Sequence, residues 1–125
     1  MGDPRHDLGL AAEQAVAAWL ETSGWRVLAR RHRSRSGGEV DLIARDVGGV
    51  LVAIEVRARR TDRAGTGVET IDARRTARIG RTLAGFAAAN GGRHDGLRID
   101  LVTVTPMSGA VARWHVRRTP GIGAW

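Results

Sequence analysis

Two short apolar runs that lie close together in the chain constrain its fold most strongly. Residues 39–44 (EVDLIA) and residues 50–57 (VLVAIEVR) each have the length of a β-strand, and the DVGG between them is typical of a tight turn. Side chains alternate along a strand, so the pattern predicts a hairpin with an apolar core face and a charged face. The core face has Val40, Leu42, Ala44, Val50, Val52, Ile54 and Val56, and the charged face has Glu39, Asp41, Glu55 and Arg57.

The charged face of this hairpin brings two carboxylates together. If the turn centres near Gly48, Asp41 and Glu55 lie directly opposite each other, roughly 5 Å apart. Like charges in that position destabilise a sheet by about 0.2–1 kcal/mol unless a cation or a proton lies between them. Hard oxygen ligands of this kind suit Mg²⁺ or Mn²⁺, which activate water and stabilise the charge of a phosphate. The alternative is a sheet edge at which both acids are solvated and paired with Arg45 or Arg57.

The other segments predict an α/β chain in the order αβββαββ. Apolar residues recur at helical spacing in residues 7–23 and 71–89, whereas residues 25–32, 98–105 and 111–117 have strand patterns. The second helix makes a crossover, which lets the strand at 98–105 run parallel to the one at 50–57, so we expect a mixed sheet flanked by helices. Without a linker or a repeat, residues 1–125 are expected to form one domain, with a flexible tail at 118–125.

The charge balance favours a polyanionic partner such as nucleic acid. Twenty basic residues against 13 acidic ones give a net charge of +7, and every basic residue is arginine. Either phosphate binding by guanidinium groups or a coding bias towards Arg, Ala and Gly explains the lack of lysine. We expect three groups of arginines to border one cleft around the acid pair and to contact phosphate and shape, although solvated faces are the alternative. They form three groups: Arg31, Arg33 and Arg35 before the hairpin, Arg57, Arg59, Arg60 and Arg63 after it, and Arg74, Arg78 and Arg81 in the second helix.

Several other classes of site are excluded or not supported. The absence of cysteine removes disulfides, thiolate metal ligands and cysteine nucleophiles together. No segment approaches the roughly 20 apolar residues of a membrane span, and the opening MGDPRHDLGL lacks the apolar part of a secretory signal. The expectation is a cytoplasmic protein without a membrane partner.

The segment GGEVDLIARDVGGVLVAIEVRARR resembles the signature of the YraN-like family of bacterial proteins. That family has a Gly-Glu-Ile-Asp-Leu-Ile run followed by a Val-Glu-Val-Lys run. The flanking GLAAEQAVAAWLETSGWRVLARRHR and RIDLVTV resemble its opening helix and first strand and its late Arg-Phe-Asp-Val-Val segment. The YraN-like family is uncharacterised and is similar to Holliday-junction resolvases and to the PD-(D/E)xK group. The resemblance implies a restriction-endonuclease-like αβββαβ core, here with an extra C-terminal strand.

The resemblance also implies roles for particular residues. Asp41 would be the first metal-binding acid, Glu55 the second, and Glu13 on the first helix an additional one. Gly9, one turn before Glu13, offers room for a close approach, although a solvated glutamate is the alternative. Glu39 shares the face of Asp41 and ranks below it.

Arg57 departs from the family pattern, because nucleases of this group have lysine at that position. A guanidinium does not lose its proton, but it still stabilises negative charge on a phosphate. Two hypotheses follow. One is a Mg²⁺- or Mn²⁺-dependent endonuclease, with Asp41, Glu55, Arg57 and Glu13 in its centre, that acts on branched or damaged DNA. The other is a non-catalytic nucleic-acid-binding module with a degraded centre. DNA is favoured over RNA, and a homodimer is left open.

Overall fold

The predicted order of elements is confirmed in a computed structural model, which describes residues 4–35, 37–59, 72–90, 92–107 and 113–123. The helices are α1 (Pro4–Thr22) and α2 (Ala73–Ala89). The strands are β1 (Arg26–Arg33), β2 (Glu39–Arg45), β3 (Leu51–Ala58), β4 (Leu97–Met107) and β5 (Arg113–Thr119). Neither of these two helices is long and apolar enough to cross a membrane.

The five strands form one mixed sheet in the order β1-β2-β3-β4-β5. Strands β3 and β4 run parallel, joined by the crossover through α2, and the other neighbours are antiparallel. In the β2–β3 ladder Leu42 pairs with Ile54 and Ala44 pairs with Val52, so the hairpin is centred on Gly48 as predicted.

The two helices cover opposite faces of the sheet, which corrects the prediction of one core face and one charged face. The α1-side core joins Val16 and Leu20 to Leu42, Val52 and Ile54. The α2-side core joins Ile79 and Leu83 to Ile43, Leu51, Ala53 and Ile99. β3 lies in the middle of the sheet, and its first five residues are all buried. A central strand with a parallel neighbour is covered on both faces, so its run of apolar residues serves two cores at once.

The alternation of faces is interrupted at the start of β2. Val40 packs in the α2-side core, whereas Leu42 packs in the α1-side core, contrary to the predicted shared face. On the neighbouring strand Arg31 has a φ of 50°, in the left-handed region that residues other than glycine seldom adopt. A residue in this conformation breaks the pleat, and it lies between the pairs Arg30–Leu42 and His32–Val40.

The described residues that follow β5 are hydrogen-bonded to β4. Asp100 is fully buried and accepts hydrogen bonds from Arg98, Arg118 and the Gly121 amide. The Ile122 amide donates to the Ile99 carbonyl at 2.9 Å. The predicted flexible tail at 118–125 overlaps the end of β5, which continues through Thr119, and its last two residues lie outside the described residues.

Candidate metal and nucleic-acid site

The two predicted acids meet where strands β2 and β3 separate. Their ladder ends at the pair Leu42–Ile54, and β3 continues beside β4 to Ala58. Beyond the last pair the Val56 amide donates to Asp41 Oδ2 at 2.8 Å, so a side-chain oxygen serves as the acceptor. The Asp41 carboxyl is also hydrogen-bonded to the carboxyl of Glu55. One residue beyond the last pair of this register, Asp41 lies opposite Glu55.

The surroundings of Asp41 raise the pKa of its carboxyl. Burial raises the pKa of Asp41 from 3.8 to about 8, and the hydrogen bond to Glu55 and the charge of Glu55 act in the same direction. The Val56 amide opposes this rise in the pKa, since it stabilises the ionised carboxylate. With a pKa of about 8, the Asp41 carboxyl is mostly protonated at neutral pH.

Glu55 has a second partner that the sequence reasoning missed. Its side chain is only 4% exposed, and Arg75 of α2 holds both of its oxygens, with Nε at 3.0 Å from Oε2 and Nη2 at 2.9 Å from Oε1. This hydrogen bonding raises the pKa of Arg75 above its usual value. Spacing could have revealed the partner, because Arg75 precedes Ile79 by four residues and so extends the buried stripe of α2 by one turn.

An open cleft of about 300 Å³ lies beside the acid pair. We call it the acid cleft; it is lined by Gly37, Glu39, Asp41, Arg75 and Arg78. Gly38 lets α2 approach this end of β2, since a Cβ atom there would lie 2.5 Å from the Thr82 hydroxyl and 3.3 Å from Arg78 Cγ. Carboxylates and guanidinium groups thus share one solvent-accessible space, which suits a cation and a phosphate side by side.

Glu13 does not join the acid pair. It lies on α1, on the opposite side of the sheet, and its Oε1 accepts a hydrogen bond from Arg31 Nε at 3.1 Å. It lines a separate cleft of about 130 Å³ with Arg30 and Leu42, although its charge still contributes to the raised pKa of Asp41. A side chain at Gly9 would contact nothing within 4 Å, so no close approach depends on that glycine. Within the described ranges no three carboxylate or imidazole side chains converge on a metal position.

Arg57 lies on the same face as Glu55, two residues further along β3, and is half-buried. The alternation that places Val56 and Ala58 against the α1-side core turns Arg57 to the α2 side. Its part in catalysis stays a prediction.

The predicted arginine groups separate into two sides of the molecule. Arg33 pairs with Glu39 at 3.3 Å and Arg78 lines the acid cleft, so both lie beside the acid pair. Arg31 is turned to α1, because its left-handed backbone places it with Glu13. The expectation that all three groups border one cleft is therefore wrong for Arg31. Of the other arginines, three are exposed: Arg35, Arg74 and Arg81. Arg59 follows β3 and is half-buried. Arg60 and Arg63 lie outside the described residues.

A further cleft of about 290 Å³ lies at the other end of the α2-side face, lined by Arg26, Arg45, Phe86 and Asn90 among others. No acidic side chain lines it among the described residues. Arg45 donates to the Arg93 carbonyl there, beyond the carboxyl end of α2. It is therefore not a candidate for the metal site.

The mixed sheet between two helices, with an acid pair where β2 and β3 separate, defines an α/β protein with a restriction-endonuclease-like core. The chain belongs to the uncharacterised protein family UPF0102, whose model matches residues 12–104. The matched range runs from α1 into β4 and includes Asp41, Glu55 and Arg75. The resemblance to the YraN-like family is thereby confirmed.

Individual relatives support the same assignment. A UPF0102 protein of Symbiobacterium thermophilum is 46% identical over 99 residues, which cover 79% of this chain and 82% of the relative. One of Anaeromyxobacter dehalogenans is 42% identical over 104 residues, or 83% and 76% of the two chains. One of Leifsonia xyli is 34% identical over 118 residues, or 94% and 97%. The likeness thus extends over most of each protein.

Proposed function

We propose that this protein is a nuclease of the Mg²⁺- or Mn²⁺-dependent kind that acts on DNA, with branched or damaged DNA as the expected substrate. The observation that carries the proposal is the placement of Asp41 opposite Glu55 at the open end of the β2–β3 ladder. Two opposed carboxylates are unfavourable unless a proton or a cation lies between them, and here Asp41 lines a solvent-accessible cleft.

The donor set suits these ions. Mg²⁺ in proteins is commonly held by one or two carboxylates and completes its coordination with water and substrate phosphate, so Asp41 and Glu55 suffice. When bound, such an ion supplies an activated water and stabilises the charge of the phosphate. Binding would displace the proton from Asp41, since metal ligands must be deprotonated. Arg78 would contact the phosphate, and Arg57 would stabilise charge without acting as a base.

The second candidate is a nucleic-acid-binding module without catalysis. Two observations favour it: arginine stands at position 57, and Arg75 already neutralises Glu55. In that case the acid pair would be a structural contact, and the arginines near the acid cleft would bind the phosphate backbone.

A cleavage assay on four proteins separates the two candidates. Wild type, Asp41→Ala, Glu55→Ala and Arg57→Lys are incubated with branched and linear DNA, with and without Mn²⁺. For a nuclease we expect metal-dependent cleavage of branched DNA, its loss in both alanine variants, which lack an oxygen ligand, and equal or greater activity in Arg57→Lys, which gains an amine that titrates. Undiminished cleavage by Asp41→Ala would contradict the mechanism.

The same proteins give a different result if the module only binds. Wild type would then cleave no more than a mock preparation, and loss of an acid would tighten DNA binding by removing negative charge. The gain would be larger for Glu55→Ala than for Asp41→Ala below pH 8, because the raised pKa of about 8 keeps Asp41 neutral there. Glu55→Ala would also release Arg75.

A further inference from the structure

Glu55 already has a cationic partner, Arg75, with which a bound metal would compete. Both carboxylate oxygens accept hydrogen bonds from Arg75, at 2.9 and 3.0 Å, and Asp41 lies opposite Glu55 on β2. We propose that Arg75 is a positioning residue that occupies Glu55 while no divalent metal is bound and turns to the nucleic-acid phosphate when the metal takes Glu55. This inference rests on the proposed function, because it presumes a metal between Asp41 and Glu55.

Competition follows from the geometry of the contact. A metal on Glu55 would share the carboxylate with Arg75, whose guanidinium already donates to both oxygens, and the two positive charges would repel each other at this short distance. Glu55 is 4% exposed, so water can supply little of the stabilisation that its charge loses when Arg75 leaves. Either the guanidinium or the metal must therefore compensate this carboxylate.

Arg75 reaches solvent, whereas Glu55 does not. Its side chain is 51% exposed and lines the acid cleft together with Arg78. When released into that cleft, the Arg75 guanidinium would lie in solvent beside that of Arg78. A phosphate group offers it the same paired oxygens as a carboxylate, so the two-pronged contact is exchanged rather than lost.

Because of this exchange, bound metal should raise the affinity for nucleic acid, and bound nucleic acid should raise the affinity for metal. Metal binding at Glu55 releases a positive charge for the phosphate, and phosphate binding holds Arg75 away from the metal ligand. Because coupling between two ligands is reciprocal, each raises the affinity of the protein for the other by the same factor.

The test is a calorimetric titration with Mn²⁺, without nucleic acid, of wild type, Arg75→Gln and Arg78→Gln. Arg78→Gln is the matched control, since it removes the same charge from the same helix and the same cleft, whereas the Glu55 contact belongs to Arg75. A charge-assisted contact of this kind is equivalent to about a tenfold to hundredfold change in affinity. We therefore expect Arg75→Gln to bind Mn²⁺ tighter than wild type by about that factor and Arg78→Gln to gain much less. Equal gains in both variants would overturn the inference.

Thermal unfolding of each variant shows whether it folds. Arg75→Lys provides a second, more conservative test. It keeps the positive charge beside the buried Glu55 but cannot form the two-pronged contact, so its Mn²⁺ affinity should lie between those of wild type and Arg75→Gln. An affinity equal to that of wild type would count against the inference.

A second readout follows the phosphate. Fluorescence anisotropy of a labelled linear duplex should show tighter binding when Mn²⁺ is added to wild type, and a smaller Mn²⁺ effect in Arg75→Gln. An equal Mn²⁺ effect in the two proteins would overturn the phosphate half of the inference. Absence of Mn²⁺ binding in every protein would overturn the proposed metal centre and this inference together, whereas Mn²⁺ binding that ignores Arg75 would overturn the inference alone.

Discussion

At the scale of single residues, Asp41 combines a structural contact with a chemical one. One of its oxygens accepts the Val56 amide where the ladder ends, and its carboxyl also shares a hydrogen bond with Glu55. The first contact stabilises the ionised form and the second the protonated form, and burial favours the protonated form as well. The balance leaves Asp41 protonated at neutral pH, and only a bound cation or a higher pH would remove that proton.

The raised pKa of Asp41 predicts a stability that falls with pH. The folded protein holds a proton at Asp41 between the ordinary pKa of 3.8 and the raised value of about 8, and the unfolded chain does not. The contribution of Asp41 to the free energy of unfolding is therefore fully present below 3.8 and is lost as pH rises through about 8. Asp41→Asn keeps a donor to Glu55 and an acceptor for Val56 but does not titrate. Its stability relative to wild type should therefore rise by up to a few kcal/mol from pH 4 to pH 8, at no more than about 1.4 kcal/mol per pH unit.

Urea unfolding of both proteins at pH 4, 6 and 8 measures this difference. Glu39→Gln is the control, because it changes an exposed acid at the start of the same strand. A difference between Asp41→Asn and wild type that stays constant over this pH range would contradict the raised pKa.

At the scale of elements, the close approach of α2 to β2 builds the acid cleft. Gly38 is buried at the start of β2, and the nearest atoms to a Cβ there would belong to Thr82, Ser34 and Arg78. In the sequence, the glycines before Glu39 are distinguished only as part of the family signature. Their spatial role depends on a helix that begins more than thirty residues later, at Ala73.

We expect Gly38→Ala to destabilise the protein and to displace the acid cleft. A methyl group there requires α2 or β2 to move, and overpacking of this kind costs about 1–3 kcal/mol. Gly85→Ala is the matched control on α2, because a Cβ there contacts nothing within 4 Å and alanine is the better helix former. It should stabilise the protein by about 0.5–1 kcal/mol. Thermal unfolding of both variants checks the prediction, which would be wrong if the two changes had the same sign.

At the scale of the whole molecule, the arginines behind the net charge of +7 have different roles. Asp100 and its arginines form a closed network against Trp25, with Arg98 and Arg118 at 5.8 and 5.2 Å from the centre of the indole ring. These arginines stabilise the fold, since they tie β4 to β5. Arg33 and Arg78 are exposed beside the acid cleft instead, and the proposed phosphate contacts would use them.

We expect binding to DNA to be electrostatic and weakly selective for sequence. Its affinity should fall steeply between about 50 and 200 mM salt, because phosphate contacts release counterions. If Arg78 contacts a phosphate, Arg78→Gln should reduce the slope of log affinity against log salt by about 1. Arg30→Gln is the control, since Arg30 is exposed beside Glu13 on the α1 side and should leave the slope unchanged. Binding of an unlabelled competitor series at four salt concentrations measures both slopes, and an affinity indifferent to salt would contradict a phosphate-binding surface.

Local pattern was enough to predict the elements and one half of the site. Strand alternation and a tight turn place Asp41 opposite Glu55, because both depend only on residues that are neighbours along the hairpin. The helix stripes and the crossover likewise predicted the order of elements and the parallel pairing of β3 with β4. These properties follow from backbone periodicity, which the sequence carries in itself.

Packing between distant segments decided the rest. The approach of α2 gave Glu55 its partner Arg75, twenty residues away, and buried the face that alternation had assigned to charge. The position of α1 on the opposite face separated Glu13 from the acid pair, and the left-handed backbone at Arg31 turned one arginine away from the acid cleft. The sequence by itself thus determined which acids oppose each other. Only the tertiary structure decided that Arg75 is the cation beside Glu55. Periodicity describes which faces a segment presents, but it does not say which other segment covers them.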